Sequence, residues 1–259
     1  MQVKILGIQF RKKETSVQLE QESIRREIGE SAQLDFISAL DTTIDWDAPE
    51  IILASYQGVV LGGSGDFDFD GGRPDDDEAK RLSYEFLERL RPLFIYLFER
   101  DIPTLGICYG HQILGAFAGA QVVHDQTQKK SRSHEVKLLV DAADHFLFTD
   151  VPESFLAHYG HKDSLDRVPE GAILLVSGGD ACKVSALRYH NNIYTTQFHP
   201  ELTVADMVVR MKHSPGYLPE GVAVEELFKD DPSSNQILRN FGKLVTAHAA
   251  GLQNEEVSV

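Results

Sequence analysis

A cysteine flanked by glycines is the feature of this chain best suited to chemistry. The segment 106–112 reads Gly-Ile-Cys-Tyr-Gly-His-Gln, with Cys108 between glycines at positions i−2 and i+2. It follows an apolar run ending at Leu105 and precedes a small-residue helical pattern over 113–119. This spacing is the cysteine version of the nucleophile elbow, a tight strand-to-helix turn. At a helix N-terminus the backbone N–H groups and the helix dipole favour the thiolate, which is the reactive form.

A base and a carboxylate stand together further along the chain. The segment 197–201 reads Gln-Phe-His-Pro-Glu, so His199 and Glu201 are separated by one proline. A cysteine nucleophile needs an imidazole to take its proton and later protonate the leaving group, and a carboxylate fixes the imidazole tautomer. Pro200 restricts the backbone between the two side chains. We therefore predict a hydrolytic centre of Cys108, His199 and Glu201.

Such a centre also requires N–H donors for the oxyanion of the tetrahedral intermediate. Two places in the sequence offer them. One is the amide of Tyr109, directly after the nucleophile, and the other is a glycine amide at 62–63, after the short apolar run 58–61.

The elements that must position these residues follow from hydrophobic periodicity. Between residues 3 and 118 strand and helix patterns alternate, which predicts an α/β fold with an open, mostly parallel, flavodoxin-like sheet covered by helices on both faces. Strand patterns then follow at close spacing up to 197, with a hairpin signal at 190–192, and predict an antiparallel extension of the sheet. The predicted strands are 3–10, 34–40, 58–61, 103–107, 136–140, 173–176, 184–189 and 193–197. The predicted helices are 17–28, 49–56, 75–100 with a kink at Pro92, 109–118, 202–211, 222–228 and 237–249.

We find no repeat and no linker, so the sequence predicts one domain over 1–259. Its core runs from about 3 to 203, and a helical extension covers about 204–250.

Composition excludes several classes of function. The chain has 259 residues and a formal net charge of −15, which argues against non-specific nucleic-acid binding. Two cysteines, Cys108 and Cys182, argue against a disulfide framework and favour a reducing compartment. The apolar run at the N-terminus is too short for a secretion signal, and no apolar stretch has the roughly 18 residues of a membrane span. We therefore expect a cytoplasmic protein without membrane contact.

The three motifs, in their order along the chain, resemble those of the class I glutamine amidotransferases, and the GMP-synthetase-like branch is most similar. The resemblance covers roughly residues 3–203 and implies the fold of that family, with no cofactor and no metal. It implies that Cys108 is the nucleophile, His199 the general base and Glu201 its partner. The segment His158-Tyr159-Gly160-His161 resembles the family's Ser-His-Gly-Asp turn, whose backbone holds the substrate. The remaining implied site residues are the oxyanion-hole amides of Gly63 and Tyr109, and the substrate contacts Gln112, His158, Tyr159 and Gly160.

Three functions follow from these motifs. The first is hydrolysis of the γ-amide of glutamine through a Cys108 thioester, with ammonia passing to an acceptor on a separate synthase chain. The second is a stand-alone hydrolase of other γ-glutamyl compounds, such as peptides or polyamine conjugates. The third is a non-catalytic regulatory protein that keeps the fold.

Other motifs have simpler explanations. The acidic stretch 65–77 has spacing that resembles a calcium loop, but Arg73 stands where an apolar residue is usual, Asp77 replaces the final glutamate and no helix precedes the stretch. A cap for the following helix, or a lid over the substrate, fits better. The stretch 177–180, Ser-Gly-Gly-Asp, echoes a phosphate loop and is interpreted as a turn between strands. Cys182 is interpreted as a packing residue.

Overall fold

The computed structural model of the protein describes residues 3–128, 131–140, 145–213 and 222–256. Its strands are β1 (Lys4–Gln9), β2 (Gln33–Ser38), β3 (Gly58–Leu61), β4 (Thr104–Ile107), β5 (Val122–Val123), β6 (Ser133–Leu138), β7 (Ser154–His158), β8 (Ser164–Leu165), β9 (Ile173–Ser177), β10 (Ala186–Tyr189) and β11 (Ile193–Thr196). Its helices are α1 (Glu14–Ile28), α2 (Pro49–Ile52), α3 (Glu78–Arg89), α4 (Arg91–Glu99), α5 (Tyr109–Phe117), α6 (Val204–His213), α7 (Val224–Leu227) and α8 (Ser233–Glu256).

The main sheet has the strand order β2-β1-β3-β4-β11-β10-β9-β6-β7. The five strands from β2 to β11 run parallel to one another. Because β1, β3, β4 and β11 are neighbours, the segments that follow them emerge side by side at one edge of the sheet. The chain leaves β1 toward β2 on one side and then continues with β3 on the other. This reversal creates a crevice between β1 and β3, the usual place for a ligand site in an open α/β sheet.

The rest of the sheet is antiparallel, as predicted. Strands β10 and β11 form the expected hairpin, and β9, β6 and β7 continue the sheet outward. A small second sheet pairs β5 with β8. Strands β5, β7 and β8 are absent from the sequence prediction. Two of them are only two residues long, and β7 carries exposed and half-buried residues at an edge, so none has a clear apolar periodicity.

The core lies on both faces of the parallel strands. On one face Ile5 and Leu105 pack with the helices α1 and α8, through residues such as Ile24 and Phe241. On the opposite face Leu61 and its neighbours pack with α3, α4 and α5. Strands buried on both sides need continuous apolar runs, which is why the short segments 58–61 and 104–107 contain no charge. Helix α8, in the C-terminal extension, packs into this same core. The single domain over 1–259 stays a prediction.

The prediction of one continuous helix over 75–100 is wrong. Two helices, α3 and α4, meet at Leu90, whose ψ of 0° departs from the helical value. Pro92 lies in the first turn of α4, where a missing N–H costs nothing because that turn has no intrahelical acceptors. The proline therefore starts a second helix rather than bending the first.

Residues 214–221 of the predicted helical extension lie outside the described residues. Within the described part of the chain, no helix has both the length and the apolar character that crossing a membrane requires.

Candidate active site

Cys108 stands on a strained turn between β4 and α5. Its φ of 53° and ψ of −95° are unusual for a residue with a side chain. A β-carbon on Gly106 would lie 2.6 Å from the carbonyl oxygen of Gly110, and one on Gly110 would meet the carbonyl of Leu61. The two flanking glycines are therefore required by close backbone contacts. The predicted elbow is confirmed in its geometry.

The thiol is buried among polar groups. Cys108 is 2% exposed, its N–H donates to the Thr196 carbonyl at 2.7 Å, and the side-chain amide of Gln197 lies 3.7 Å from Sγ. Burial raises the pKa of the Cys108 thiol to about 11, while the Arg210 and Arg11 guanidinium groups and the Tyr109 N–H act in the opposite direction. In this state the thiol is protonated at neutral pH, so attack on a substrate requires proton transfer to a base.

His199 and Glu201 form a buried pair just beyond β11. Nδ1 of His199 lies 2.7 Å from Oε1 of Glu201, and the two side chains are 0% and 1% exposed. Burial, with help from Arg210 and Arg11, lowers the pKa of His199 well below its usual value. Burial raises the pKa of Glu201 to about 7. Because Nδ1 contacts Glu201, Nε2 is the ring nitrogen through which a general base at this position would act.

Cys108 and His199 both border Gly63. A β-carbon built on Gly63 would lie 3.2 Å from Cε1 of His199 and 3.6 Å from Cβ of Cys108. The two side chains thus border the same point, although the loops that carry them follow different strands. The loop after β3, the elbow after β4 and the turn after β11 converge because their strands are neighbours in the sheet.

A positive side chain lies against the imidazole of His199. Nη1 of Arg210, on α6, is 3.1 Å from Nδ1 and 3.0 Å from Nε2. A nitrogen that donates in the plane of the imidazole ring comes close to only one of the two ring nitrogens. Because Nη1 is almost equally close to both, the guanidinium group lies over the face of the ring. Arg210 therefore opposes protonation of His199 electrostatically.

The two predicted oxyanion donors have different partners. The N–H of Tyr109 is directed at Cys108 and lowers the pKa of the thiol. The N–H of Gly63 donates instead to Oε1 of Glu20 at 2.9 Å. The Tyr109 phenol points away from the site, into a cluster with Phe10, Phe67 and Phe69.

The predicted substrate contacts are divided between the site and the core. Gly160 lines a cavity of about 40 Å³ together with Arg11, Glu20, Glu201 and Arg210. Its position beside the triad residues agrees with a role in substrate binding, which stays a prediction.

Gln112, His158 and Tyr159 make other contacts in this structure. The Gln112 amide donates to the Asp163 carbonyl at 2.8 Å and to Gln197 Oε1 at 3.2 Å. Tyr159 is fully buried and its hydroxyl is 2.8 Å from Ser185 Oγ. His158 contributes through its backbone, since its carbonyl accepts from the His199 N–H at 2.9 Å. Substrate contacts by Gln112, and by the backbone of His158 and Tyr159, stay predictions.

The acidic loop 65–77 is tied down by protein groups. Asp163 accepts from the N–H groups of Asp70 and Gly71 at 2.9 and 2.7 Å. Asp68 pairs with Arg73 at 2.7 Å. Asp77 caps α3 by accepting from Ala79 N, so the predicted helix cap is confirmed.

Within the described ranges of the chain, no group of three or more His, Cys, Asp or Glu side chains is arranged to hold a metal ion. Cys182 is fully buried in the core and forms no disulfide, in agreement with a packing role.

Sequence reasoning missed Arg11, Glu20, Gln197 and Arg210. Arg11 comes just after β1, at the edge of the sheet where the other strand ends carry site residues. Its position after a strand could therefore have predicted its place in the site. Gln197 is two residues before His199. Glu20 and Arg210 lie on charged helices and have no distinguishing pattern in the sequence.

Comparisons with known proteins agree with this geometry. The family model for glutamine amidotransferase class-I matches residues 42–211. The A subunit of the glutamine-hydrolyzing GMP synthase of Methanocaldococcus jannaschii is 37% identical over 117 residues, a match covering 45% of this chain and 60% of that protein. Its counterpart of the same name in Methanopyrus kandleri is 30% identical over 156 residues, covering 60% of this chain and 71% of that protein. The chain thus spans about three fifths of the first of these relatives.

Solved structures share the fold across almost the whole chain. A glutamine amidotransferase from Thermotoga maritima superposes with a TM-score of 0.68 at 20% identity, covering 95% of this chain and 99% of the other. A Thermoplasma acidophilum protein assigned to the same GMP synthase subunit gives a TM-score of 0.66 at 20% identity, covering 98% of each chain.

Proposed function

Because the chain belongs to the glutamine amidotransferase class-I family, we propose that it hydrolyses the side-chain amide of glutamine to glutamate and ammonia. The observation that carries this proposal is the convergence of three strand ends on one point. They bring the Cys108 elbow beside a buried His199–Glu201 pair with a contact of 2.7 Å. The names of the relatives favour glutamine over other γ-glutamyl compounds as the substrate.

The reaction proceeds in two steps, the formation and the hydrolysis of a thioester on Cys108. His199 takes the Cys108 proton as sulfur attacks the amide carbon, and Glu201 stabilises the imidazolium that forms. The oxyanion is held by the Tyr109 N–H and, when it is free, the Gly63 N–H. The tetrahedral intermediate collapses as His199 protonates the nitrogen, which releases ammonia and leaves a γ-glutamyl thioester on Cys108. Water, deprotonated by His199, then attacks the thioester, giving glutamate and the free thiol.

Arg210 adjusts this proton transfer. A positive charge over the imidazole favours the neutral ring before attack. The same charge favours the Cys108 thiolate, so it lowers the cost of removing the thiol proton.

We further propose that the ammonia is used by a separate synthase chain. By their names, the relatives from Methanocaldococcus jannaschii and Methanopyrus kandleri are each one subunit of a larger enzyme. The synthase is proposed on that likeness alone, and a cytoplasmic location is proposed on the small number of cysteines.

The test measures ammonia and glutamate released from L-glutamine by the full chain and by Cys108→Ala. We expect a Cys108-dependent release and a mass increase on the Cys108 peptide when the thioester is trapped. Equal release by Cys108→Ala would contradict the proposal. A parallel panel of γ-glutamyl peptides and polyamine conjugates is expected to turn over more slowly than glutamine, and a preference for any of them would instead support the stand-alone hydrolase.

A further inference from the structure

The buried carboxylate of Glu20 contacts the loop at Gly62–Gly63 that is predicted to bind the oxyanion. This residue of α1 is 3% exposed. Its Oε1 accepts from the Gly63 N–H at 2.9 Å and is 2.7 Å from Nη2 of Arg11. Its Oε2 accepts from the side-chain amide of Gln9 at 3.0 Å. The carboxylate is therefore held from three sides, by groups that follow β3 and by groups in and just after β1.

The two glycines of the loop make this contact possible. A β-carbon on Gly62 would lie 2.6 Å from Oε2 of Glu20. A β-carbon on Gly63 would lie 3.0 Å from Nη2 of Arg11. Side chains at either position would push the Glu20–Arg11 pair away from the backbone. In this chain the Gly-Gly pair thus accommodates the ion pair as well as the active site.

The contact occupies the Gly63 donor. An N–H group forms one strong hydrogen bond at a time, and a bond to an ionised acceptor is stronger than one to a neutral carbonyl. The α-carbon of Gly63 faces Cys108 and His199, whereas its N–H faces Glu20. The oxyanion therefore competes with a charged, buried acceptor for this donor.

We propose that Glu20 is a positioning residue that withholds the Gly63 N–H from the oxyanion hole in the isolated chain. The Tyr109 N–H remains directed at the reacting centre, so the site is half assembled. Full activity requires the Gly63–Glu20 hydrogen bond to break and the Gly63 N–H to turn toward Cys108. Arg11 holds Glu20 in place through their ion pair. This inference rests on the proposed function of the same site.

The test separates the oxyanion hole from the reactivity of the thiol. 6-Diazo-5-oxo-L-norleucine reacts through a ketone that occupies the oxyanion hole, whereas iodoacetamide alkylates the thiolate without using it. We compare the inactivation rate constants for both reagents in the full chain and in Glu20→Gln and Glu20→Met. Glu20→Met removes the acceptor, and Glu20→Gln keeps a weaker, neutral one.

We expect the rate ratio of the ketone reagent to iodoacetamide to rise about tenfold or more in Glu20→Met, the effect of losing one charged hydrogen bond. Glu20→Gln is expected to give a smaller rise in the same direction. Ammonia release from glutamine should increase in the same order. If Glu20→Met fails to fold, the double variant Arg11→Met/Glu20→Met removes the guanidinium group that the single variant leaves unpaired. Glu20→Gln alone still shows whether the rate ratio rises or falls.

The control is Glu22→Gln, which makes the same exchange two residues further along α1, at an exposed side chain. Its rate ratio is expected to match that of the original chain. An unchanged or lower ratio in the folded Glu20 variants overturns the inference while leaving the proposed function intact. If iodoacetamide labels Cys108 but neither the original chain nor any variant reacts with the ketone reagent or releases ammonia, both the inference and the proposed function fail.

Discussion

Glu201 Oε1 lies 2.7 Å from His199 Nδ1, and neither side chain is more than 1% exposed. An ionised carboxylate there orients the ring and stabilises the imidazolium, whereas a neutral amide does neither. We expect Glu201→Gln to lower kcat for ammonia release by about 10²- to 10⁴-fold, with a smaller change in KM. Glu22→Gln is the control, because it makes the same exchange of a carboxylate for an amide at an exposed position of α1.

The same pair predicts how activity depends on pH. Burial raises the pKa of Glu201 to about 7, so this carboxyl is protonated below that pH and ionised above it. Catalysis requires the ionised form, so kcat is expected to rise with pH through about 7. The residual activity of Glu201→Gln should lack this rise. A profile that is flat from pH 6 to 8 in the original chain would contradict the assignment.

Alkylation of Cys108 reports on its thiol directly. Burial raises the pKa of this thiol to about 11, and only the thiolate reacts. The iodoacetamide rate constant of the free protein is therefore expected to increase about tenfold per pH unit from pH 7 to 10, without a plateau. Peptide mass spectrometry checks the site, with fully buried Cys182 as the internal control that stays unmodified. A plateau near pH 7 would mean that the resting chain already holds a thiolate.

Arg210 is expected to influence both partners of the proton transfer. Its charge lowers the pKa of Cys108 and of His199, so Arg210→Met should raise both. We expect the iodoacetamide rate at pH 9 to fall by roughly three- to tenfold. Lys212→Met removes an exposed positive charge from the same helix, α6, and should leave the rate unchanged. Equal effects of the two variants would show that net charge, rather than the contact with His199, is responsible.

The elbow is expected to tolerate no side chain at Gly110. A β-carbon there would meet the Leu61 carbonyl, so Gly110→Ala must displace the loop after β3 or the start of α5. We expect the free energy of unfolding to fall by about 1–3 kcal/mol, measured by urea denaturation. Gly251→Ala is the matched helical control, because nothing lies near its β-carbon position. Alanine there should stabilise the chain by up to about 1 kcal/mol.

Local patterns predicted much of the fold and the core of the site. Strands β3 and β4 lie within a residue of their predicted positions, because a strand buried on both faces is an unbroken apolar run. The predictions fail where this signal is short or mixed, as in β5, β7 and β8. The break at Leu90 was misplaced because proline in a first helical turn and proline inside a helix look alike in a sequence.

The sequence by itself determined which residues form the proposed catalytic set, because Cys108, His199 and Glu201 lie in motifs whose backbone geometry depends on immediate neighbours. Only the tertiary structure decided which other side chains surround them. Glu20 reaches Gly63, and Arg210 reaches His199, because strand order and helix packing bring α1 and α6 over the same sheet edge. Such contacts depend on which strands are adjacent in the sheet, and the sequence of a charged helix does not indicate which strands those are.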